Sequence, residues 1–196
     1  MNPLAIKTLY ELEPKKQLTF AYLTCERLYP NYLNFVSKFQ FGDASVLRTA
    51  IDYILSCILN GTIDSSLTKK LILSVEKNTP DTEDFDTIFV SSALDACTSV
   101  AEALDFLLDK QDSRIKDIST VAIDSVHMYI QEFESLDFNT DKNFQKKIYS
   151  HPLMVREIAI QTGIINYLSN CNSIDLEDIN TLLRLQENNG RSNIDL

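Results

Sequence analysis

The chain has 196 residues, 44% of them hydrophobic and 23% charged, which is the composition of a globular protein and excludes a disordered one. Its net charge of −10 repels phosphate backbones and sets direct nucleic-acid binding aside. The longest uncharged stretch, 158–174, carries Gln161, Thr162, Asn166, Asn170 and Asn172 and is too polar to span a bilayer.

The start, Met1-Asn2-Pro3-Leu4, lacks the basic and apolar regions of a secretory peptide. Cys25, Cys57, Cys97 and Cys171 never approach CxxC spacing. Together these predict a cytoplasmic protein whose cysteines are small buried hydrophobes, without a cofactor.

Prolines precede apolar patterns at Pro3, Pro14, Pro30, Pro80 and Pro152, where a fixed φ and a missing amide favour a helix start. Leu18, Ala21, Tyr22, Cys25, Leu28 and Tyr29 follow the one-sided helical spacing, and the chain is expected to turn at Pro30. Asp43 is placed to cap a helix carrying Leu47, Ala50, Ile51, Ile54 and Ile58. A further helix is expected over 64–77 with Leu67, Leu71 and Val75 inward.

From about 84 to 109 the apolar residues, Phe85 and Ile88 among them, occupy most of the helical circumference. Such a helix belongs at the centre of a bundle. The acidic run Asp81 to Asp84 then reads as its first turn. Helices over 112–136 and 153–169 follow, and a short one around Leu176, Ile179, Leu182 and Leu183 is closed by Asn189-Gly190. Residues 137–150 and the last few are expected to be loose. Gly163, inside a helix, would let another helix approach. The expected fold is an all-α, single-domain multi-helix bundle around the central helix.

Charge is uneven along this series. Between Asp81 and Asp137 stand 14 acids against Lys110, Arg114 and Lys116, so the central segment carries the whole acidic excess.

Several segments, in order, resemble the YjaG-like bacterial family (DUF 416): Cys25-Glu26-Arg27-Leu28-Tyr29-Pro30-Asn31-Tyr32, Phe41-Gly42-Asp43, Pro80 with Asp84-Phe85-Asp86, Ala93-Leu94-Asp95-Ala96-Cys97, and Ser192-Asn193-Ile194. The resemblance covers nearly the whole chain and implies an all-helical domain of unknown function, with no activity attached. The ending Ile194-Asp195-Leu196 departs from the family's Ile-Gly continuation. The motifs mark Glu26, Arg27, Tyr29, Asn31, Tyr32, Asp43 and Asp95 as candidate binding residues. The first five would line a polar pocket at Pro30 or form an ordinary helix corner.

Two further groups carry possible chemistry. Asp124 and His127, three apart on one helix, have the spacing by which bundle metal sites present an acid and an imidazole. Glu102, Asp105 and Asp109 form an acidic stripe that a solvated helix face explains equally. No Walker loop, dinucleotide fingerprint or catalytic triad is present. The sequence therefore points to a non-enzymatic interaction protein whose acidic surface takes a basic partner. The alternative is a small-molecule- or metal-binding helical bundle, possibly an enzyme.

Overall fold

The computed structural model describes residues 3–196, with side chains from Lys7 onward. Among the described residues the order is α1 (Pro3–Glu11), α2 (Pro14–Phe39), α3 (Ala44–Asn60), α4 (Ser65–Asn78), a 3-10 turn (Thr82–Asp84), α5 (Phe89–Asp109), α6 (Asp112–Phe133), α7 (Phe144–Ser150), α8 (Pro152–Asn170) and α9 (Leu176–Leu185). The fold is the expected all-α bundle.

Local chemistry sets most of the boundaries. Asp43 accepts from the Ser45 amide, Asp64 from those of Ser66 and Leu67, and Asp175 with Asp178 forms a capping box on α9. The His151 ring nitrogen accepts from Leu153 and starts α8, with Pro152 in its first turn. Gln40, Gly61 and Lys110 close α2, α3 and α5 in left-handed conformations.

α5 is central, as its apolar circumference predicts, packing on α2, α3, α4 and α6. It shares that position with α2, in which every residue from Gln17 to Cys25 is buried. The main core joins α2 to α6, α8 and α9. A smaller core of Val126, Ile130, Phe144, Ile148, Met154 and Ile194 lies under α7 and the C-terminal tail.

Several expectations are corrected. The chain does not turn at Pro30, because α2 runs through it to Phe39. An interior proline removes one helical hydrogen bond and costs about 3 kcal/mol. The complete burial of Leu28, Asn31, Tyr32 and Phe35 around it holds the helix nonetheless. The central helix starts at Phe89 rather than 84, and the acidic run forms a separate 3-10 turn capped by Asp81. Phe85, freed from the helix, joins Phe35, Phe39 and Phe41 in an aromatic cluster, its ring 4.9 Å from that of Phe35.

Leu67 faces solvent, and its inward place is taken by Thr68, which bonds Tyr53 and the Asp64 carbonyl. α6 ends at Phe133 rather than 136, and α9 ends at Leu185, before Asn189-Gly190. Residues 137–150 contain α7, and the tail is tucked in, with Ser192, Asn193 and Ile194 buried. Over Gly163 lies the Leu185 side chain, at a distance an added methyl would tolerate.

Candidate functional site

The first family-like segment divides between the two sides of α2. On one side the Arg27 guanidinium donates from Nε and Nη2 to the two carboxylate oxygens of Glu157 on α8, at 2.9 and 2.8 Å, and from Nη1 to Gln186 at 2.8 Å. Gln161 donates to Glu157 and to the Ser119 carbonyl, and accepts from the Ser119 hydroxyl. Arg27 and Glu157 are 5% and 1% exposed. One turn along α2, Asn31 donates to Asn193 of the tail, which donates to the Ala122 carbonyl on α6. A buried ion pair with both carboxylate oxygens and all three guanidinium nitrogens bonded is closed to ligands, although the Asn31 amide oxygen beside it has no partner. It fixes how α2, α6, α8 and the tail sit together.

On the other side Glu26 takes a bidentate bond from Arg48 of α3, which also pairs with Asp52. The Tyr29 hydroxyl donates to the Ala44 carbonyl, and its ring lies under Arg48. Tyr32 donates to the Asn78 carbonyl at 2.7 Å. Its hydroxyl passes so close to Gly42 that an added Cβ would stand 2.2 Å away, and φ there is +77°. Glu26, Tyr29, Tyr32 and the cap Asp43 thus bind α2 to the start of α3 and the end of α4.

Asp95 has a different setting. It sits on α5 beside a cleft of about 400 Å³ bounded by the loop before α5, the facing side of α6, and Ile194. Three acids line the cleft, Asp86, Asp95 and Glu132, and no basic side chain does. Hydroxyls of Ser91, Ser92 and Ser125 line it near Asp95, while Phe85, Met128 and Tyr129 give it apolar walls. Among the described residues Asp95 has no ion-pair partner. Burial, reinforced by the nearby Asp124 charge, pushes its pKa up to about 7. The Ser125 hydroxyl is 2% exposed and draws that value down slightly, yet no group meets it with full hydrogen-bonding geometry.

The Glu102, Asp105 and Asp109 stripe gathers around Arg114 of α6, at 2.9, 3.3 and 3.2 Å. One cation answers three carboxylates, so the stripe stays acidic but is internally bridged. Asp124 stands at the surface, where partial desolvation raises its pKa and the neighbouring His127 draws it back. His127 leans on the Phe144 ring, 5.6 Å between centroids. Among the described residues no three His, Cys, Asp or Glu side chains gather as metal ligands would. Burial raises the thiols of Cys25, Cys57 and Cys97, the last to about 12, which leaves them protonated and unreactive.

Sequence reasoning placed Arg27, Asn31 and Asp95 among the candidates but missed Glu157, Gln161, Asn193 and Ser125. A signal for two of these existed. Met154, Glu157, Gln161, Ile164, Ile165 and Leu168 form the buried stripe of α8, so an acid and an amide stand at apolar positions.

The pattern of a family described as Protein of unknown function (DUF416) matches residues 5–196. The chain is 29% identical over 198 residues to the uncharacterized protein YjaG of Salmonella typhimurium, covering 98% of this chain and 95% of that one. It is 25% identical to an uncharacterized protein of Haemophilus influenzae, with 98% and 96% covered. A crystal structure of a DUF416 family protein from Shewanella baltica superposes with a TM-score of 0.87 at 25% identity, covering 97% of each chain.

Proposed function

This chain belongs to the family described as Protein of unknown function (DUF416), and from that premise we propose that it is a non-enzymatic interaction protein that captures a basic protein partner on its α5–α6 hairpin. One observation carries the reading. The segment holding the whole acidic excess folds into a single pair of packed helices and their flanking loops, with an acid-lined cleft at one end. Uncompensated acids around a low-dielectric cleft focus the field and steer a cationic surface toward it.

The reading includes a cytoplasmic setting, supported by four free cysteines and by the absence, among the described residues, of any helix long and apolar enough to cross a membrane. The small-molecule alternative is favoured by one feature, a cleft volume within the range of ligand pockets.

The test is capture of a lysine- and arginine-rich peptide across a salt series. Wild type should bind at low ionic strength and release with rising salt, and the combined Glu102→Gln, Asp105→Asn, Asp109→Asn variant should show weaker binding and a flatter salt dependence. Capture that ignores salt would rule out the acidic hairpin as its cause.

A further inference from the structure

The cleft holds two polar groups without a full partner, the half-buried Asp95 carboxylate and the buried Ser125 hydroxyl. Asp95 carries a carboxylate with no ion-pair partner among the described residues, and its nearest charged neighbour is another acid, Asp124. The Ser125 hydroxyl beside it is almost fully buried and draws on the Asp95 carboxylate, but meets no group in full hydrogen-bonding geometry. Native interiors rarely leave such groups unfilled, so each calls for an explanation. Here they line the same cleft, one from α5 and one from α6.

The missing partner can be described by its chemistry. It is cationic, because Asp86, Asp95 and Glu132 line the cleft without a base. The positive end of α5 lies at the mouth, where Asp86, three residues before the first helical residue, offsets it. Its head is compact and carries several donors. Ser91 and Ser92 each stand one helical turn before Asp95 on α5, and Ser125 faces them from α6. The Ser92 hydroxyl donates to the Phe89 carbonyl and keeps its lone pairs free to accept. A tetrahedral ammonium with three N–H groups matches a carboxylate flanked by hydroxyl oxygens. Its stem is apolar, since Phe85, Met128 and Ile194 line the approach.

We propose that the Asp95–Ser125 end of the cleft is an ammonium subsite that receives a lysine side chain of the basic partner. This rests on the hairpin reading above and names its anchor point. Lysine then contributes its charge to Asp95, a donor to Ser125 and its methylene stem to the apolar walls.

Calorimetric titration of the full chain with a lysine-rich peptide tests it, beside the same peptide with acetylated lysines and n-butylamine as a free amine. Asp95→Asn should weaken the peptide by at least about tenfold, the effect of removing one partner of a desolvated charge pair. Ser125→Ala should weaken it by a few-fold, and acetylated peptide should not bind. Thermal melting of both variants at or above the wild-type midpoint keeps a folding defect from producing that result. If wild type binds and Asp95→Asn binds equally well while the Glu102, Asp105, Asp109 variant is weakened, the subsite is wrong and the hairpin reading stands. If wild type fails to bind any basic peptide at low salt, both fall. If n-butylamine binds as tightly as the peptide, the occupant is a free amine and the lysine assignment is overturned.

Discussion

Arg27 with Glu157, and Asp95 with Ser125, are two polar groupings set into the same bundle, and they are finished differently. Around Arg27 the guanidinium, the carboxylate and the neighbouring amides are bonded to one another. Around Asp95 the carboxylate lacks a counter-ion and the Ser125 hydroxyl meets no group in full hydrogen-bonding geometry. Burial alone therefore does not mark a working site. A buried charge that is complete holds helices together, and one that is incomplete points outward to something it has yet to meet. The C-terminal tail touches both, with Asn193 closing the first grouping and Ile194 lining the second.

The largest expected effect breaks the complete side. Glu157→Ala leaves the Arg27 charge buried and unanswered and should cost about 3–5 kcal/mol in chemical denaturation. Replacing Arg27 and Glu157 together by apolar residues of similar volume should cost far less, because no orphan charge remains. A Glu157→Ala loss below about 1 kcal/mol would mean that the pair is not sealed from water.

The incomplete side should respond in the opposite direction. The folded-state pKa of Asp95, about 7, lies above the ordinary carboxylate value of 3.8. The native state therefore binds the extra proton, and this contribution to stability is present in full below the unfolded value. It is lost as pH rises through about 7, and amounts to at most about 4 kcal/mol. Asp95→Asn should remove that slope between the two pKa values and leave the protein at least as stable as wild type above it, measured by unfolding across pH. A variant less stable than wild type at high pH would show that Asp95 is paired after all.

Asn193→Ala sharpens the role of the tail. It strips the Asn31 amide of its acceptor and the helical Ala122 carbonyl of its second donor and should cost about 1–3 kcal/mol, read from the unfolding midpoint. The smallest effect belongs to the acidic stripe around Arg114. Glu102→Gln alone should change stability by about 0–1 kcal/mol, since Arg114 keeps Asp105 and Asp109.

The same contrast explains what the sequence disclosed. Periodicity and caps located the helices, as at Asp43 and around Leu47 to Ile58, because those signals are local. Pro30 misled because long-range packing on both flanks of α2 outweighed a local breaker. Arg27 was visible as a candidate, but its partner lies 130 residues away, and only that partner shows the residue to be structural. Asp95 was named through a family-like motif. Its chemistry depends on Ser125 and Asp124 of the neighbouring helix and on Ile194 of a tail expected to be loose.

Asp95 is a half-buried carboxylate without a counter-ion, and the proposed subsite gives it a cation. Following its side-chain carboxyl carbon by NMR through a pH titration, with and without the lysine-rich peptide, tests that most directly. A value near 7 is expected in the free protein, with a marked fall when the peptide binds, because an ammonium favours the charged form. An ordinary value near 4 in the free protein, or one that the bound peptide leaves unmoved, would contradict it.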